Sequence, residues 1–577
     1  MVQVIAKKNR AVNVLFILVI CILPLDLAAK NGLEIDILGV SKDVKENILI
    51  LLDDLDVSQR SSIAFTKKKI RRAMIDGSEP LGLYDIKFDT RIGSDKIIIS
   101  VKSYTSVVWS KPQIEIQGAI ANAKELEQIV ASANGAVGSR MTHEFYEKIK
   151  SRLITIYLNN GYLDAHFSQS SLEVSVINSS ARVVLGLETG EQYYFSPLRF
   201  VGGHLNDVFL HKMTTFKEGE AYERAKVESF YQQLIDSRYF SSVKIEREKN
   251  SDHTVTLVVL LDPSPRYRYS TGFGFATDVG PRIKIGVDRP WINRRGHQWK
   301  AQSKVSSIIK VASSEYRIPL YLGWVDAFVW SVGWQDKSVD DTESEKFTTG
   351  FGLHREIHRW VGSVSLNIEN ERDEQGSLLR SEDSYIYIGT QWTRTRIWGD
   401  ARNPVKGYKF WGSIESSTEG LGAESDFTRG EFGSKWLQGV AEKHSFLMKA
   451  TMGFIQTGNF ENIPSTKRFF VGGDQTIRGY DYESLSQEDE NGDQLGGRYL
   501  NTVGVEYRYQ IFSKWQVSVF GDAGRAYNVS EARMNVGGGV GVRWISPIGP
   551  LNIDVAYPIG DDNVNGARLH VYMGPVI

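Results

Sequence analysis

The chain of 577 residues holds one cysteine, Cys21, and it lies within the first thirty residues. That opening segment reads as a secretory signal peptide spanning residues 1–29. Lys7, Lys8 and Arg10 form a basic start, Val12 to Leu25 an apolar core, and Leu27-Ala28-Ala29 a small-residue end with cleavage near Ala29. The apolar core is shorter than the roughly 20 residues that a helical span needs, which disfavours an uncleaved anchor. Leu18-Val19-Ile20-Cys21 only faintly resembles a lipoprotein box, since Val19 and Ile20 are bulky and the apolar run continues past Cys21. The rest of the chain lacks thiols, which excludes disulfides and thiolate metal sites there. It also lacks a second long hydrophobic run, and with it any transmembrane helix. Charge of one sign is missing too: 68 Lys and Arg face 69 Asp and Glu, a formal net charge of −1, which gives nucleic acid no electrostatic footing. Ser, His and Asp are scattered without an organised nucleophile. No nucleotide or ion-coupling motif occurs. No enzymatic activity, cofactor or metal is therefore expected.

Residues 32–264 carry a unit that recurs three times in the order strand, helix, helix, strand, strand. The turn from the second helix into the next strand is its clearest mark: Gly82-Leu83-Tyr84-Asp85-Ile86, Gly161-Tyr162-Leu163-Asp164-Ala165 and Arg238-Tyr239-Phe240-Ser241-Ser242-Val243. Ile86, Ala165 and Val243 lie 79 and 78 residues apart, the signature of stacked copies of one module. His143 to Leu158 predicts an amphipathic helix, with Phe145, Ile149, Leu153 and Tyr157 on one face. Small open sheets of this kind offer edges to which an extended client could add a strand.

After Arg266 the pattern changes to period 2. Tyr267, Tyr269, Phe273 and Phe275 alternate with Arg268, Ser270, Gly272 and Gly274. Val503, Val505, Tyr507, Tyr509 and Ile511 alternate with Gly504, Glu506, Arg508 and Gln510. Leu551, Ile553, Val555 and Tyr557 alternate with Asn552, Asp554 and Ala556, and the chain ends with Leu569, Val571 and Met573 against Arg568, His570 and Tyr572. A soluble sandwich also alternates. The export signal, the persistence of the pattern over about 300 residues, and tryptophans expected near segment ends (Trp291, Trp324, Trp330, Trp360, Trp392) favour a membrane β-barrel. Spanning strands of about 9–11 residues allow roughly 14 to 18 of them, and a barrel in lipid must close.

Within this half stands Phe470-Val471-Gly472-Gly473-Asp474-Gln475-Thr476-Ile477-Arg478-Gly479-Tyr480. An arginine amid membrane-spanning segments is costly unless it meets water or a carboxylate. Strand parity turns Asp522, with Ser518 and Phe520, toward the lumen, and does the same for Glu506. Two inward carboxylates thus follow Arg478, whose planar fork suits them. An exposed hairpin with its charges in water would satisfy the same residues. The acidic stretch Asp481–Gly496 fits an extracellular tip. Within it, Asp489-Glu490-Asn491-Gly492-Asp493 mimics the start of a calcium loop, but the sixth position is Gln494 and the twelfth Leu500, so it is not read as a metal site.

The Ile477-Arg478-Gly479-Tyr480 run, the Phe520-Gly521-Asp522 strand and the periodic modules resemble a superfamily of bacterial outer-membrane insertases and transporters with polypeptide-transport-associated (POTRA) domains. Within it, the chain is similar to the TamA family, the outer-membrane subunits of the translocation and assembly module. Local runs that carry this are Thr271-Gly272-Phe273-Gly274-Phe275-Ala276-Thr277-Asp278-Val279-Gly280-Pro281-Arg282, Arg289-Pro290-Trp291, Tyr316-Arg317-Ile318-Pro319-Leu320 and Asn403-Pro404-Val405-Lys406-Gly407-Tyr408. The resemblance implies three tandem α+β POTRA modules (residues 30–105, 106–191 and 192–265) followed by a 16-stranded antiparallel transmembrane β-barrel (266–577). It implies a lumenal Ile477-Arg478-Gly479-Tyr480 loop with Arg478 on Asp522, Glu506 as second partner and Phe520 as supporting aromatic. It also implies a weak seam between Tyr267, Tyr269, Phe273 and Phe275 of the first strand and Leu569, Val571 and Met573 of the last. Gly574-Pro575 shortens that last strand, since proline cannot donate to a ladder. The implied role is a non-enzymatic factor in the outer membrane, its N-terminal modules in the periplasm, that inserts or translocates client β-barrel proteins such as autotransporters. Its implied partners are a TamB-like protein anchored in the inner membrane, the clients and outer-membrane lipids. Two-partner-secretion transport and TamB-linked phospholipid delivery are the alternatives.

Overall fold

The computed structural model describes residues 34–577 apart from 54–62, 94–95, 323–324, 340–341, 376–380, 401, 422–424, 489–491, 493, 529–532, 548, 562–565 and 575. The signal peptide, Trp324, Pro575 and most of the calcium-loop mimic lie outside the described residues. The chain divides into two compact units, residues 1–193 and 194–577.

The first unit contains two modules. In the first, helices Lys42–Leu52 and Ile63–Ser78 pack on a sheet in which the strand Lys96–Ser106 lies between Glu34–Leu38 and Leu83–Ile92. Ile37, Val44, Ile48, Leu52, Ile70, Met74, Ile97 and Ile99 form its core. The second repeats the plan with helices Ala123–Gly135 and His143–Asn159 and strands Gln113–Gln117, His166–Ser175 and Ser180–Glu188. The periodicity of its second helix places Ile149, Leu153 and Tyr157 in the core, with Phe145 at its margin. Asn122 and Thr142 cap the two helices by accepting from Glu125 N and Phe145 N.

A third module opens the second unit, with helices Asp207–Lys212 and Arg224–Asp236 and strands Tyr194–Phe195, Arg199–Gly202, Phe240–Lys249 and Thr254–Pro263. The shared turn has a physical reason. Gly82, Gly161 and Arg238 all adopt positive φ, at 79°, 91° and 62°, so the chain can leave the helix and enter a strand. Their carbonyls then accept the start of the following segment: Val107 N on Gly82 O, Tyr193 N on Gly161 O, and Ser264 Oγ on Arg238 O. Each repeat thus carries the socket for what comes next.

From Arg268 onward, sixteen antiparallel strands close a barrel in chain order. Period-2 alternation sends Val503, Val505, Val519, Val540, Ile553, Val555 and Leu569 outward, where they are exposed, and Glu506, Ser518, Asp522, Asn552 and Asp554 inward, where they are buried. A continuous apolar exterior over a charged interior is the inverse of a soluble fold. Among the described residues, no helix is long and apolar enough to cross a membrane. Trp330 and Trp392 lie on that exterior. Trp291 departs from the expected girdle. It sits after the second strand, and its ring lies tilted against His204 of the third module, with centroids 4.0 Å apart. The same face is held by Tyr239 donating to Gly296 O at 2.7 Å, Trp291 Nε1 to Ser264 O at 3.0 Å, and Phe209 against Tyr321.

Candidate functional site: a lumenal latch beside a one-pair seam

The connection between strands His444–Thr457 and Tyr499–Phe512 folds into the barrel and builds its own core there. Ile463, Phe469, Val471, Ile477 and Tyr480 pack on Tyr385, Tyr387, Phe427 and Leu500 from the wall. Polar anchors fix its entry. Ser465 donates twice to Asp373 (2.8 and 2.6 Å), Thr466 donates to Glu371 at 2.7 Å, and Lys467 reaches Glu415 and Glu369 at 3.0 and 3.3 Å. The start of the acidic stretch after Tyr480 is tied to the loop and the wall. Leu485 N bonds to Val471 O, and Glu483 pairs with Lys337 at 2.7 Å.

At the centre lies Arg478, 2% exposed. Its Nε donates to Asp522 Oδ2 at 2.7 Å and its Nη2 to Asp522 Oδ1 at 3.2 Å, a bidentate fork. Its Nη1 donates to Glu506 at 2.8 Å and to Asp554 at 3.0 Å. The guanidinium carbon stands 3.4 Å from the centroid of the Phe520 ring, a cation–π contact on the one side the carboxylates leave free. These acids are shared with other cations: Arg508 on Glu506 at 2.6 Å, Arg543 on both Glu506 and Asp554, and Lys449 on Asp522 at 3.1 Å. Four cations and three carboxylates therefore form one buried network in which every formal charge has an opposite neighbour, the condition under which burial of charge is tolerated.

Glycine makes room for the latch. Gly479 has φ of 100° and lies against the Tyr557–Pro558 backbone. A Cβ on Gly537 would run into the carbonyl of Arg478, and one on Gly541 into Asp554. Gly537 thus marks the loop's close approach to the wall, and Gly541 the room taken by Asp554 within it, a signal that the alternation analysis passed over.

The structure brings Arg478, Asp522, Glu506 and Phe520 together. It adds Asp554, Arg543, Arg508 and Lys449, of which Asp554 and Arg508 had already been turned inward by parity. The remaining motif residues also make contacts. Ile477 and Tyr480 are buried in the loop core, and the Gly479 amide donates to His570 Nε2 of the last strand at 2.9 Å. A backbone N–H only donates, so Nε2 accepts and Nδ1 carries the proton, which it gives to Asp474 Oδ1 at 2.7 Å.

Around the seam the placement differs from the expectation. The first strand, Arg268–Ala276, makes nine register pairs with its successor, and the last, Arg568–Met573, makes six with its predecessor. Between first and last there is one among the described residues, Ala276 with Tyr572. Tyr267, Tyr269, Phe273 and Phe275 do not pair with Leu569, Val571 and Met573, because the short last strand is offset toward the far end of the first. The side chains of Tyr267, Tyr269, Phe273 and Phe275 are exposed along the first strand. The remaining closure is made by Thr277 N on Val571 O at 3.0 Å, Val571 N on Thr277 Oγ1 at 3.2 Å, and Arg282 on Met573 O at 2.7 Å.

Comparison with known proteins agrees with this architecture. Residues 292–574 match the Omp85 superfamily domain, and residues 193–264 match the surface antigen variable number repeat, POTRA. The outer membrane protein assembly factor BamA of Nitratidesulfovibrio vulgaris is 26% identical over 450 residues, covering 72% of this chain and 55% of the relative. BamA of Neisseria meningitidis serogroup B is 20% identical over 560 residues, covering 83% and 68%. The chain thus spans about half the length of the first of these relatives. The crystal structure of Haemophilus ducreyi BamA lacking POTRA domains 1–3 superposes with a TM-score of 0.69 at 13% identity, covering 81% of this chain and 99% of that one, which speaks to the fold. Residues 292–574, most of the closed sixteen-stranded barrel, thus carry an Omp85 superfamily domain, and residues 193–264 before them a POTRA module.

Proposed function

We propose that this chain is an outer-membrane assembly factor of the TamA type, which inserts or translocates client β-barrel proteins, autotransporters among them, through the seam between its first and last strands. The observation that carries this reading is the contrast at the seam: among the described residues there is one ladder pair, next to a first strand whose outer edge from Arg268 to Phe275 has no strand beside it. An unpaired edge is a template for another strand, and in lipid it calls for one. On this reading residues 1–29 direct export. Modules 30–105, 106–191 and 192–265 lie in the periplasm and receive clients or a TamB-like partner, and outer-membrane lipids contact the exterior. Arg478 and its carboxylates hold the lumenal loop while the seam opens.

A disulfide between Ala276→Cys and Tyr572→Cys tests this, since register partners in a ladder lie within bridging distance. The oxidised form is expected to fold and to lose client assembly, with recovery on reduction; full activity while oxidised would sink the proposal. Crosslinking from the third module and the first strand in native membranes then identifies the captured species, and capture of lipid without client protein would favour a lipid conduit instead.

A further inference from the structure

Three potential metal-ligating side chains meet where the seam, the lumenal loop and the first turn converge. They are Asp278, just past the first strand, Asp474 of the loop and His570 of the last strand, and their ligand atoms all lie within 4.8 Å of one another. Asp474 is 4% exposed and His570 3%. Asp474 Oδ1 is used twice, accepting from His570 Nδ1 at 2.7 Å and from Thr277 Oγ1 at 3.1 Å. Its Oδ2 is buried and meets no donor. Asp278 contributes one oxygen to the Asp474 backbone amide at 2.5 Å, and its other stands 3.9 Å from His570 Nδ1. No lysine or arginine is paired with either carboxylate in these contacts. A buried carboxylate oxygen without a donor, beside a second carboxylate, asks for a cation.

We propose that Asp278, Asp474 and His570 form a divalent-cation site that staples the first strand's turn, the lumenal loop and the last strand together. One imidazole with two carboxylates suits zinc or manganese rather than calcium, which takes oxygen ligands alone. In a tetrahedral site with bonds of about 2.1 Å, ligand atoms stand roughly 3.4 Å apart. Two observed separations, 2.7 and 3.9 Å, bracket that value, and all three ligand atoms lie within 4.8 Å of one another. A neutral imidazole that binds a cation through Nδ1 carries its proton on Nε2, so as the cation displaces the Nδ1 proton the His570 ring takes one up at Nε2 and the Gly479 amide gives up its bond to that nitrogen. Cavities of about 460 and 400 Å³ border the cluster, the first touching Asp278 and Asp474, the second Asp278 and His570. They give a route in and space for water at the remaining positions. Because the seam has one ladder pair, three metal bonds across it would hold it shut. That consequence rests on the seam reading above, whereas metal binding does not.

The test uses the full chain in detergent, titrated with Zn²⁺ and separately with Mn²⁺. Hydrogen exchange is followed at the Val571 amide and, as reference, at Gly350 in the opposite wall. A single equivalent is expected to bind and to slow exchange at Val571 but not at Gly350. Asp278→Asn and His570→Gln should each weaken binding by roughly a hundredfold. Asp278→Asn lies outside the strand ladder and so reports on the site even if the histidine variant folds poorly. Binding that neither variant weakens, or no binding at all, overturns the site and leaves the assembly reading intact. Binding without slower exchange at Val571 overturns the staple. A chain that binds and locks, yet shows no client assembly once the metal has been chelated away, would refute the assembly reading alone.

Discussion

The wall strands Thr342–Ile357 and Trp360–Gln375 are zipped by sixteen register pairs, while the first and last strands share one. Both junctions belong to one closed barrel, so closure does not depend on ladder length. At the wall it is carried by backbone bonds, which sequence changes barely touch. At the seam the single pair and the Thr277 N–Val571 O bond are supplemented by contacts that involve side chains: Thr277 Oγ1 and Arg282 across the junction, and Asp474 and the Gly479 amide on the His570 ring from inside. The seam is therefore the part of the barrel that point mutation, pH or ligand can alter while the wall stays fixed.

Removing the centre of the latch breaks this contrast most strongly. Arg478→Ala leaves Asp522, Glu506 and Asp554 buried with fewer counter-charges, and loss of one partner from a buried ionic group costs roughly 3–5 kcal/mol. The loop is expected to become protease-sensitive and assembly activity to collapse, with the wall still folded by circular dichroism. A loop as resistant as the wild type would refute the latch. Asp522→Ala should do similar damage, and in a double-mutant cycle with Arg478→Ala the coupling should exceed about 1 kcal/mol, because the two groups share a bidentate contact. Additive losses would mean that the network, not this pair, carries the energy. A milder change sharpens the contrast. Arg282→Ala removes a charged donor from Met573 O, worth about 1.5 kcal/mol. It should speed amide exchange at Thr277 and Val571 and leave Gly350 unaffected.

The smallest effect is expected outside the barrel. Burial against Trp291 and Phe240 pushes His204 down from 6.5 to about 4, so the folded third module disfavours the charged ring. The unfolded state takes up the proton first. Stability of this junction is then fully present above about pH 6.5 and declines as the pH falls toward about 4. His204→Phe should flatten the pH profile of proteolysis at the third module. An unchanged profile would show that the ring is protonated without cost.

Much of this was legible in the residues. Alternation with period 2 assigns each side chain to a face because a strand allows no other geometry, and that alone turned Glu506, Asp522, Asp554 and His570 inward. The three-fold turn was visible as Gly82, Gly161 and Arg238 because a helix-to-strand exit demands a left-handed residue there. What stayed hidden were the contacts between strands. Arg478 meets Asp522, Glu506 and Asp554 across 44, 28 and 76 residues of chain, and parity says nothing about which inward groups share a level. The seam was misplaced for the same reason: alternation shows that Phe273 and Leu569 face outward, but not that the last strand is offset so that Ala276 and Thr277 meet it instead.

The sequence by itself determined the modules, the faces of every strand and the presence of an arginine that needed acid partners, since these follow from local backbone geometry and the cost of burying charge. Only the tertiary structure decided the stagger of the barrel. Stagger is set by how sixteen strands close on one another, and it selects the height at which each inward side chain stands. That single variable decided that Arg478 has three carboxylates, that the seam has one pair, and that Asp278, Asp474 and His570 meet beside it.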